Sequence, residues 1–295
     1  MMVIQLKNSE LTVEFSILGG SLSSIKDKDG VEYLWQGDAT YWSGQAPVLF
    51  PICGSLRNDR AIYSENEVGF MPRHGLVRKC EFELVDHSEN QVTFAIQATD
   101  EMLAQYPYRF ELRITYTLFG KTIRTTYQVI NHETEKELPY FIGGHPGFNC
   151  PLLDGEAYED YYLEFETAET CTVPRSFPET GLLDVNDRTP FLNGQKILDL
   201  DYDLFSHDAI TLDQLTSRSV SLKSKKSHKG LRVDFADFSN LIIWSTTNKG
   251  PFIALEPWSG LSTSLEEGDH FHQKRQLEIV EPSQTSSKEF DITIL

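Results

Sequence analysis

The chain has 295 residues, of which 40% are hydrophobic and 24% charged, so it has enough apolar material for a large core and disorder is excluded over most of its length. Its formal net charge of −18 argues against nucleic acid or an anionic membrane as a partner, because both are bound through clustered Lys and Arg. The one concentrated basic run, residues 223–229, is typical of a solvated turn.

The four cysteines are widely separated, and no two of them have the spacing of a zinc site or of a dense disulfide framework. We therefore expect reduced, partly buried thiols. The N-terminus lacks a basic segment followed by an apolar one, and no stretch near eighteen apolar residues occurs. A cytoplasmic location is the corresponding expectation.

Apolar residues recur with a period of two along most of the chain, which predicts strands with one buried face. The clearest case is a hairpin, in which two alternating runs flank Gly120 and Lys121. One short helix is predicted over residues 100–106, closed by Pro107. In chain order, the predicted strands include residues 11–17, 92–96, 110–118, 123–129, 231–235, 241–245, 252–255 and 276–280.

No linker rich in Pro, Ser or Gly divides the chain, and no repeat of 20 to 50 residues occurs. The prediction is an all-β protein with very little helix, organised as one large antiparallel β-sandwich domain over residues 1–295.

His145 lies in a glycine-rich corner, Gly143-Gly144-His145-Pro146-Gly147, directly after an apolar strand. Glycines let the backbone turn sharply and approach closely, so such a corner can present a side chain to a ligand. A histidine that only caps the turn is the structural alternative.

His74 stands between Arg73 and Arg78, whose positive charge should lower the pKa of the imidazole and favour its neutral form. A neutral imidazole can accept a hydrogen bond from a ligand hydroxyl or donate one to it. The alternative is a solvated basic loop.

Glu256 follows the apolar run 252–255 and precedes Pro257 and Trp258. Partial desolvation should raise the pKa of this carboxyl towards the range useful for a general base, and the flat face of Trp258 suits a sugar ring. An exposed glutamate at a strand end, beside a core tryptophan, is the alternative.

Two further patterns are weaker. Asp208 follows His207 at the start of a predicted strand and offers a carboxylate to a hydroxyl group. His270 and His272 are two positions apart, as two metal ligands on one face of a strand would be. The sequence fixes no third ligand near them, so no metal site is expected.

Four motifs together resemble the aldose 1-epimerase (galactose mutarotase) family, and most closely its bacterial LacX-like branch. They occur in the family's order and rough spacing over nearly the whole chain, and they read Pro72-Arg73-His74-Gly75, Gly144-His145-Pro146-Gly147-Phe148-Asn149, Phe205-Ser206-His207-Asp208 and Leu255-Glu256-Pro257-Trp258.

The resemblance implies a sugar cleft, no cofactor and no metal. It also implies that Glu256 removes the proton of the C1 hydroxyl while His145 protonates the ring oxygen. The ring then opens to the free aldehyde, rotates about C1–C2 and closes as the other anomer. His74 and Asp208 correspond to residues that position the sugar.

The chain departs from the family where members carry a sugar-binding arginine before the first histidine. Arg57 fits by its distance to Tyr63, and Arg60 is the rival. The stretch from His74 to Arg78 looks like that of hexose-6-phosphate mutarotases, in which arginines can hold a phosphate. The substrate is therefore a free hexose or a hexose phosphate, with a slight preference for the former.

Two other functions are compatible with the same scaffold. One is a sugar-binding or regulatory protein without turnover, since a fold does not fix a function. The other is a lyase or a glycosidase. Glycoside hydrolysis ordinarily uses a pair of carboxyl groups, however, and only Glu256 stands out from the sequence.

Overall fold

A computed structural model describes residues 4–295, of which about 52% are in strands and 6% in helices. The all-β prediction is confirmed. The strands are β1 (Ile4–Lys7), β2 (Leu11–Ser16), β3 (Ser21–Asp27), β4 (Val48–Leu49), β5 (Arg60–Ser64), β6 (Glu67–Phe70), β7 (Glu83–His87), β8 (Gln91–Gln97), β9 (Phe110–Phe119), β10 (Thr122–Asn131), β11 (Leu138–Tyr140), β12 (Gly143–Gly144), β13 (Gly147–Asn149), β14 (Tyr161–Phe177), β15 (Leu182–Asp199), β16 (Ile210–Leu212), β17 (Ser219–Ser224), β18 (Gly230–Asp234), β19 (Asn240–Trp244), β20 (Phe252–Trp258), β21 (Glu278–Val280) and β22 (Thr285–Ile294).

The helical segments are short. They are one α-helix, α1 (Asp100–Leu103), and the 3₁₀ turns Arg57–Asp59, Tyr158–Asp160, Tyr202–Phe205 and Phe271–Gln273. Helix α1 begins after Thr99, whose side chain accepts a hydrogen bond from the Met102 N–H, and it ends earlier than the predicted residue 106. Tyr106 is buried in the core beyond the helix, and its hydroxyl donates to the Pro139 carbonyl. No helix among residues 4–295 is both long and apolar enough to cross a membrane.

The largest sheet has nine strands in the order β15-β14-β17-β18-β22-β10-β9-β8-β7. Its middle contains the predicted hairpin, in which β9 and β10 pair from Phe110↔Asn131 to Phe119↔Thr122. Gly120 at the turn has a φ of 57°, a left-handed conformation that glycine adopts at little cost. Alternate residues of β10 are buried, as the period of two predicts.

A second sheet, in the order β16-β19-β20-β12-β4, carries the centre of the candidate site. Strand β20 is buried along its whole length and pairs with β19 on one side. On its other side it pairs first with β13 and then with β12. The chain between those two short strands is His145-Pro146, so the glycine-rich corner lies directly beside β20.

One connected hydrophobic cluster runs from Leu6 in β1 to Ile294 in β22 and includes residues of both large sheets. The organisation of residues 1–295 as a single domain remains a prediction, and residues 1–3 of that range lie outside the described residues. The four cysteines are free thiols, of which three are buried and Cys80 is partly exposed.

Replacing Ile292 by Ala should test the packing of the nine-stranded sheet. Ile292 is 0% exposed, so the substitution should lower the free energy of unfolding by about 2–5 kcal/mol. Ile197→Ala on β15 is the matched control. Ile197 is 48% exposed, so this substitution should change the free energy of unfolding by roughly 0.5 kcal/mol or less. Denaturant titration measures both values, and equal losses would contradict the proposed position of the core.

Candidate active site

A cavity of about 250 Å³ opens between the second sheet and the end of the β14–β15 hairpin. Six of the seven site candidates named from the sequence line it, which are His74, Arg78, His145, Asp208, Glu256 and Trp258. These residues come from segments up to about 180 positions apart, so the fold has to bring them together.

Glu256 lies inside β20 and not at the strand end expected from the sequence, because the strand continues through Pro257 to Trp258. Its side chain is 1% exposed, and its Oε2 accepts no hydrogen bond from any residue in the range 4–295. Burial raises the pKa of this carboxyl well above its ordinary value, and the negative charge of Asp208 raises it further. The indole N–H of Trp258 acts in the opposite direction, although it falls short of a hydrogen bond.

His145 is held at the break between β12 and β13, where its backbone N–H donates to the Pro47 carbonyl over 3.1 Å. Its Nε2 lies 3.4 Å from Oε2 of Glu256. Burial, together with the positive charge of Arg78 and Arg73, lowers the pKa of His145 to about 3. The other ring nitrogen, Nδ1, has no hydrogen-bond partner among the described residues.

Both shifts act towards the uncharged forms, which are a protonated carboxyl on Glu256 and a neutral imidazole on His145. A buried ion pair needs close, well-made hydrogen bonds to offset the loss of solvation, and 3.4 Å is too long for a strong one. We therefore expect the uncharged pair to be the resting form.

His74 is held by two hydrogen bonds with one residue, Gly54. The His74 N–H donates to the Gly54 carbonyl over 2.7 Å, and the Gly54 N–H donates to Nδ1 of His74 over 3.2 Å. Because Nδ1 is an acceptor here, a neutral His74 carries its proton on Nε2 and can donate it to a ligand. Burial lowers the pKa of His74 well below its ordinary value, and the positive charges of Arg78 and Arg73, and of His145 when it is protonated, lower it further.

His74 and Asp208 both adopt left-handed backbone conformations, with φ values of 69° and 80°. Non-glycine residues in this region are uncommon and cluster at functional sites. Asp208 is half-buried, follows the 3₁₀ turn Tyr202–Phe205, and its N–H donates to the Phe205 carbonyl.

The structure does not bring Arg57 to the cavity. Its guanidinium donates to the backbone carbonyls of Ser264, Leu265 and Glu267, and therefore secures the loop that follows β20. The rival Arg60 forms an ion pair with Asp269 at 2.9 Å. The distance along the sequence to Tyr63 could not show which way either side chain points.

The arginines at the cavity are Arg73 and Arg78. Nε of Arg73 donates to Oγ of Ser55 over 2.9 Å, and neither guanidinium forms a salt bridge with a described residue. Burial and the charge of Arg73 lower the pKa of Arg78. Two like charges without a bound carboxylate leave this side of the cavity positive.

Sequence reasoning missed several cavity residues because none of them lies in a local motif. Trp42 and Trp244 flank the imidazole of His145, and Phe177 belongs to the end of the β14–β15 hairpin. Neither an aromatic residue in an irregular segment, such as Trp42, nor one at a strand end, such as Trp244 or Phe177, gives a sequence signal that separates a site wall from the core.

His270 and His272 do not form a metal site with a third ligand. His270 precedes the 3₁₀ turn Phe271–Gln273, and Nε2 of His272 is hydrogen-bonded to the hydroxyl of Tyr108 at 2.8 Å. Among residues 4–295 no group of three or more His, Cys, Asp or Glu side chains is arranged to hold a metal ion.

Comparison with known proteins agrees with this architecture. A family model described as aldose 1-epimerase matches residues 2–278, so the chain belongs to the aldose 1-epimerase family, whose members act on sugars. It is 67% identical to the plasmid form and 66% identical to the chromosomal form of protein LacX from Lactococcus lactis subsp. lactis. Both alignments span 298 positions and cover 100% of each chain.

Two solved structures resemble the fold closely. A galactose mutarotase related enzyme from Lactobacillus acidophilus matches with a TM-score of 0.94 and 28% identity, over 100% of this chain and 97% of its own. A galactose mutarotase-like protein from Lactobacillus casei matches with a TM-score of 0.90 and 27% identity, over 100% of both chains. The resemblance found in the four motifs is confirmed.

The protonation state of His74 can be tested directly. Its lowered pKa means that it stays neutral as the pH falls to 5.5, where a histidine of ordinary pKa is about nine-tenths protonated. We expect ¹⁵N NMR of the labelled protein to show the Nε2–H tautomer at that pH, with the signal assigned by a His74→Asn variant. An imidazolium signal from His74 at pH 5.5 would contradict the hydrogen-bond arrangement.

Proposed function

We propose that this protein is an aldose 1-epimerase that interconverts the α and β anomers of a hexose by proton transfer through Glu256 and His145. The observation that carries the proposal is the pair itself, a buried carboxyl and a buried imidazole 3.4 Å apart in one cavity. The likeness to galactose mutarotase-related structures supports the same reaction class.

Mutarotation requires one proton to leave the C1 hydroxyl and another to reach the ring oxygen. In our proposal Glu256 is the base and His145 is the acid, so the reactive form has an ionised carboxylate and an imidazolium. This form contains the same single proton as the resting pair, with the proton moved from Glu256 to His145. Sugar hydroxyls that donate to Glu256 favour the carboxylate, because a hydrogen bond to the charged form lowers its pKa.

This proton count determines the expected pH dependence. When both groups are protonated there is no base, and when both are deprotonated there is no acid. The rate therefore falls on each side of a range in which the pair holds one proton, and the two limits belong to the pair as a unit. The low pKa of His145 and the high pKa of Glu256 make that range wide.

The remaining polar residues are assigned to positioning. Nε2–H of His74 is free to donate to a sugar oxygen, and Asp208 can accept from a hydroxyl. Trp258, which is 7% exposed and packs edge-on against His74, presents an apolar surface to the sugar ring. None of these groups needs to exchange a proton, and a cofactor is not needed for two proton transfers.

A folded Glu256→Gln variant should lose mutarotation by roughly 10²- to 10⁴-fold while it still binds sugar, because an amide keeps the shape of the carboxyl but cannot accept the proton. Polarimetry of freshly dissolved aldoses measures the rate, and tryptophan fluorescence measures binding. An unchanged kcat would remove Glu256 from the mechanism. Sugar binding by a wild-type protein without turnover would instead identify a binding protein.

A phosphorylated hexose is the second candidate substrate, and the unpaired arginines favour it. If His74, His145 and Glu256 are uncharged, as we propose, Asp208 is the one charged carboxylate that opposes Arg73 and Arg78 among the described residues lining the cavity. The cavity is thus positive in a protein of net charge −18. Guanidinium groups bind phosphate through paired, charge-assisted hydrogen bonds, so a sugar phosphate would neutralise the excess.

An Arg78→Gln variant should separate the two substrates. If the arginines hold a phosphate, kcat/KM for a hexose 6-phosphate should fall roughly 10- to 150-fold further than that for the free hexose, the value of a charged hydrogen bond, because any effect of Arg78 on the pKa of His145 is common to both sugars. Arg232→Gln is the control, because Arg232 forms an ion pair with Asp234 on β18 of the nine-stranded sheet and does not line the cavity. Equal losses on both sugars would contradict a phosphate role and leave the free hexose as the substrate.

A further inference from the structure

His145 lacks the hydrogen-bonded neighbour that usually fixes the ring of a proton-transferring histidine. Its Nδ1 has no partner among residues 4–295, and its Nε2 meets only the distant Oε2 of Glu256. An imidazole without such a bond can rotate about its side-chain torsions unless packing prevents it. The orientation of this ring must therefore come from the residues packed around it.

Those residues are aromatic. The indole of Trp42 stacks on the imidazole with ring centroids 4.8 Å apart and an interplanar angle of 27°. Trp244 and His74 meet it nearly at right angles, at 87° and 83°, both with centroids 5.5 Å away. Trp42 thus provides the one flat contact, and the other two rings limit rotation from the side.

Trp42 is itself held in a narrow slot. A Cβ atom on Gly147 would lie 2.7 Å from the Trp42 ring, so glycine at this position allows the close approach. The ring also stacks on Phe252 at 5.4 Å and 29° and meets Trp244 edge-on. These contacts hold the Trp42 ring against the start of β20 and against the corner that carries His145.

We propose that Trp42 is a positioning residue for His145, which holds the imidazole plane so that Nε2 faces Glu256 and stabilises the imidazolium when it forms. The face of an indole attracts a cation, and the attraction is strongest where water is excluded. Arg73 and Arg78 disfavour a positive charge at this place, so the Trp42 face offsets part of their effect. The inference rests on the proposed proton transfer through His145.

The test compares Trp42→Leu, Trp42→Phe and Tyr41→Leu. Tyr41 is the neighbouring aromatic residue and lies outside the cavity lining, so its substitution controls for disturbance of the loop. Trp42→Leu should lower kcat about 5- to 30-fold with little change in KM, which corresponds to the loss of a buried cation–π contact. Trp42→Phe should recover most of the rate, and Tyr41→Leu should retain it.

NMR of the free protein supplies a readout that does not depend on turnover. Stacking on an indole shifts the ring-proton signals of His145, which are assigned with His145→Asn, and the shift should vanish in Trp42→Leu and persist in Tyr41→Leu. Unchanged His145 signals in Trp42→Leu would overturn the proposal. A raised KM at unchanged kcat in the same variant would also overturn it, because that result would mean that Trp42 binds the sugar and does not position His145. If the wild type shows no turnover, the proposed function fails while the NMR result still decides the positioning role. Should Trp42→Leu not fold, Trp42→Phe still tests it, through a reduced shift of the His145 signals.

Discussion

The site depends on burying a carboxyl and an imidazole side by side without an ion pair between them. Both groups are buried, which favours their uncharged forms, and in the proposed resting state the pair retains one proton. That proton is the reagent in the proposed mutarotation. The surrounding charges act on it in opposite directions, since Asp208 keeps the proton on Glu256 while the arginines keep it away from His145.

The fold maintains this arrangement through strand pairing. Glu256 lies within β20, so its backbone is fixed by the ladder with β19, while His145 lies where β12 gives way to β13 on the opposite side of the same strand. A short break in one partner strand lets a side chain enter the cavity without removing β20 from the sheet. The β14–β15 hairpin then closes the cavity from the edge of the other large sheet.

Much of this could be predicted from the sequence because its causes are local. Alternation with a period of two is a property of each strand, and it correctly indicated β2, β8 and the β9–β10 hairpin. His145 and Glu256 could be chosen as candidates because glycines or apolar residues flank them in the chain. In each case the physical cause lies within a few positions of the residue concerned.

Features that depend on distant contacts could not be predicted in this way. Arg57 has the sequence spacing expected of a sugar-binding arginine. Its guanidinium, however, donates hydrogen bonds to three backbone carbonyls more than 200 positions away. Trp42 lies in an irregular segment, and its role follows only from its stacking on His145. The expected resting position of the proton also required structure, because the sequence indicated only partial desolvation of Glu256, whereas its side chain is 1% exposed.

The location of the shared proton is the central claim, and infrared spectroscopy measures it most directly. A protonated carboxyl has a carbonyl stretching band that an ionised carboxylate lacks. The ligand-free protein at neutral pH should show such a band, absent from Glu256→Gln, and it should weaken when a sugar substrate binds. A wild-type spectrum without that band, together with an imidazolium signal from His145, would show a resting ion pair and contradict the account.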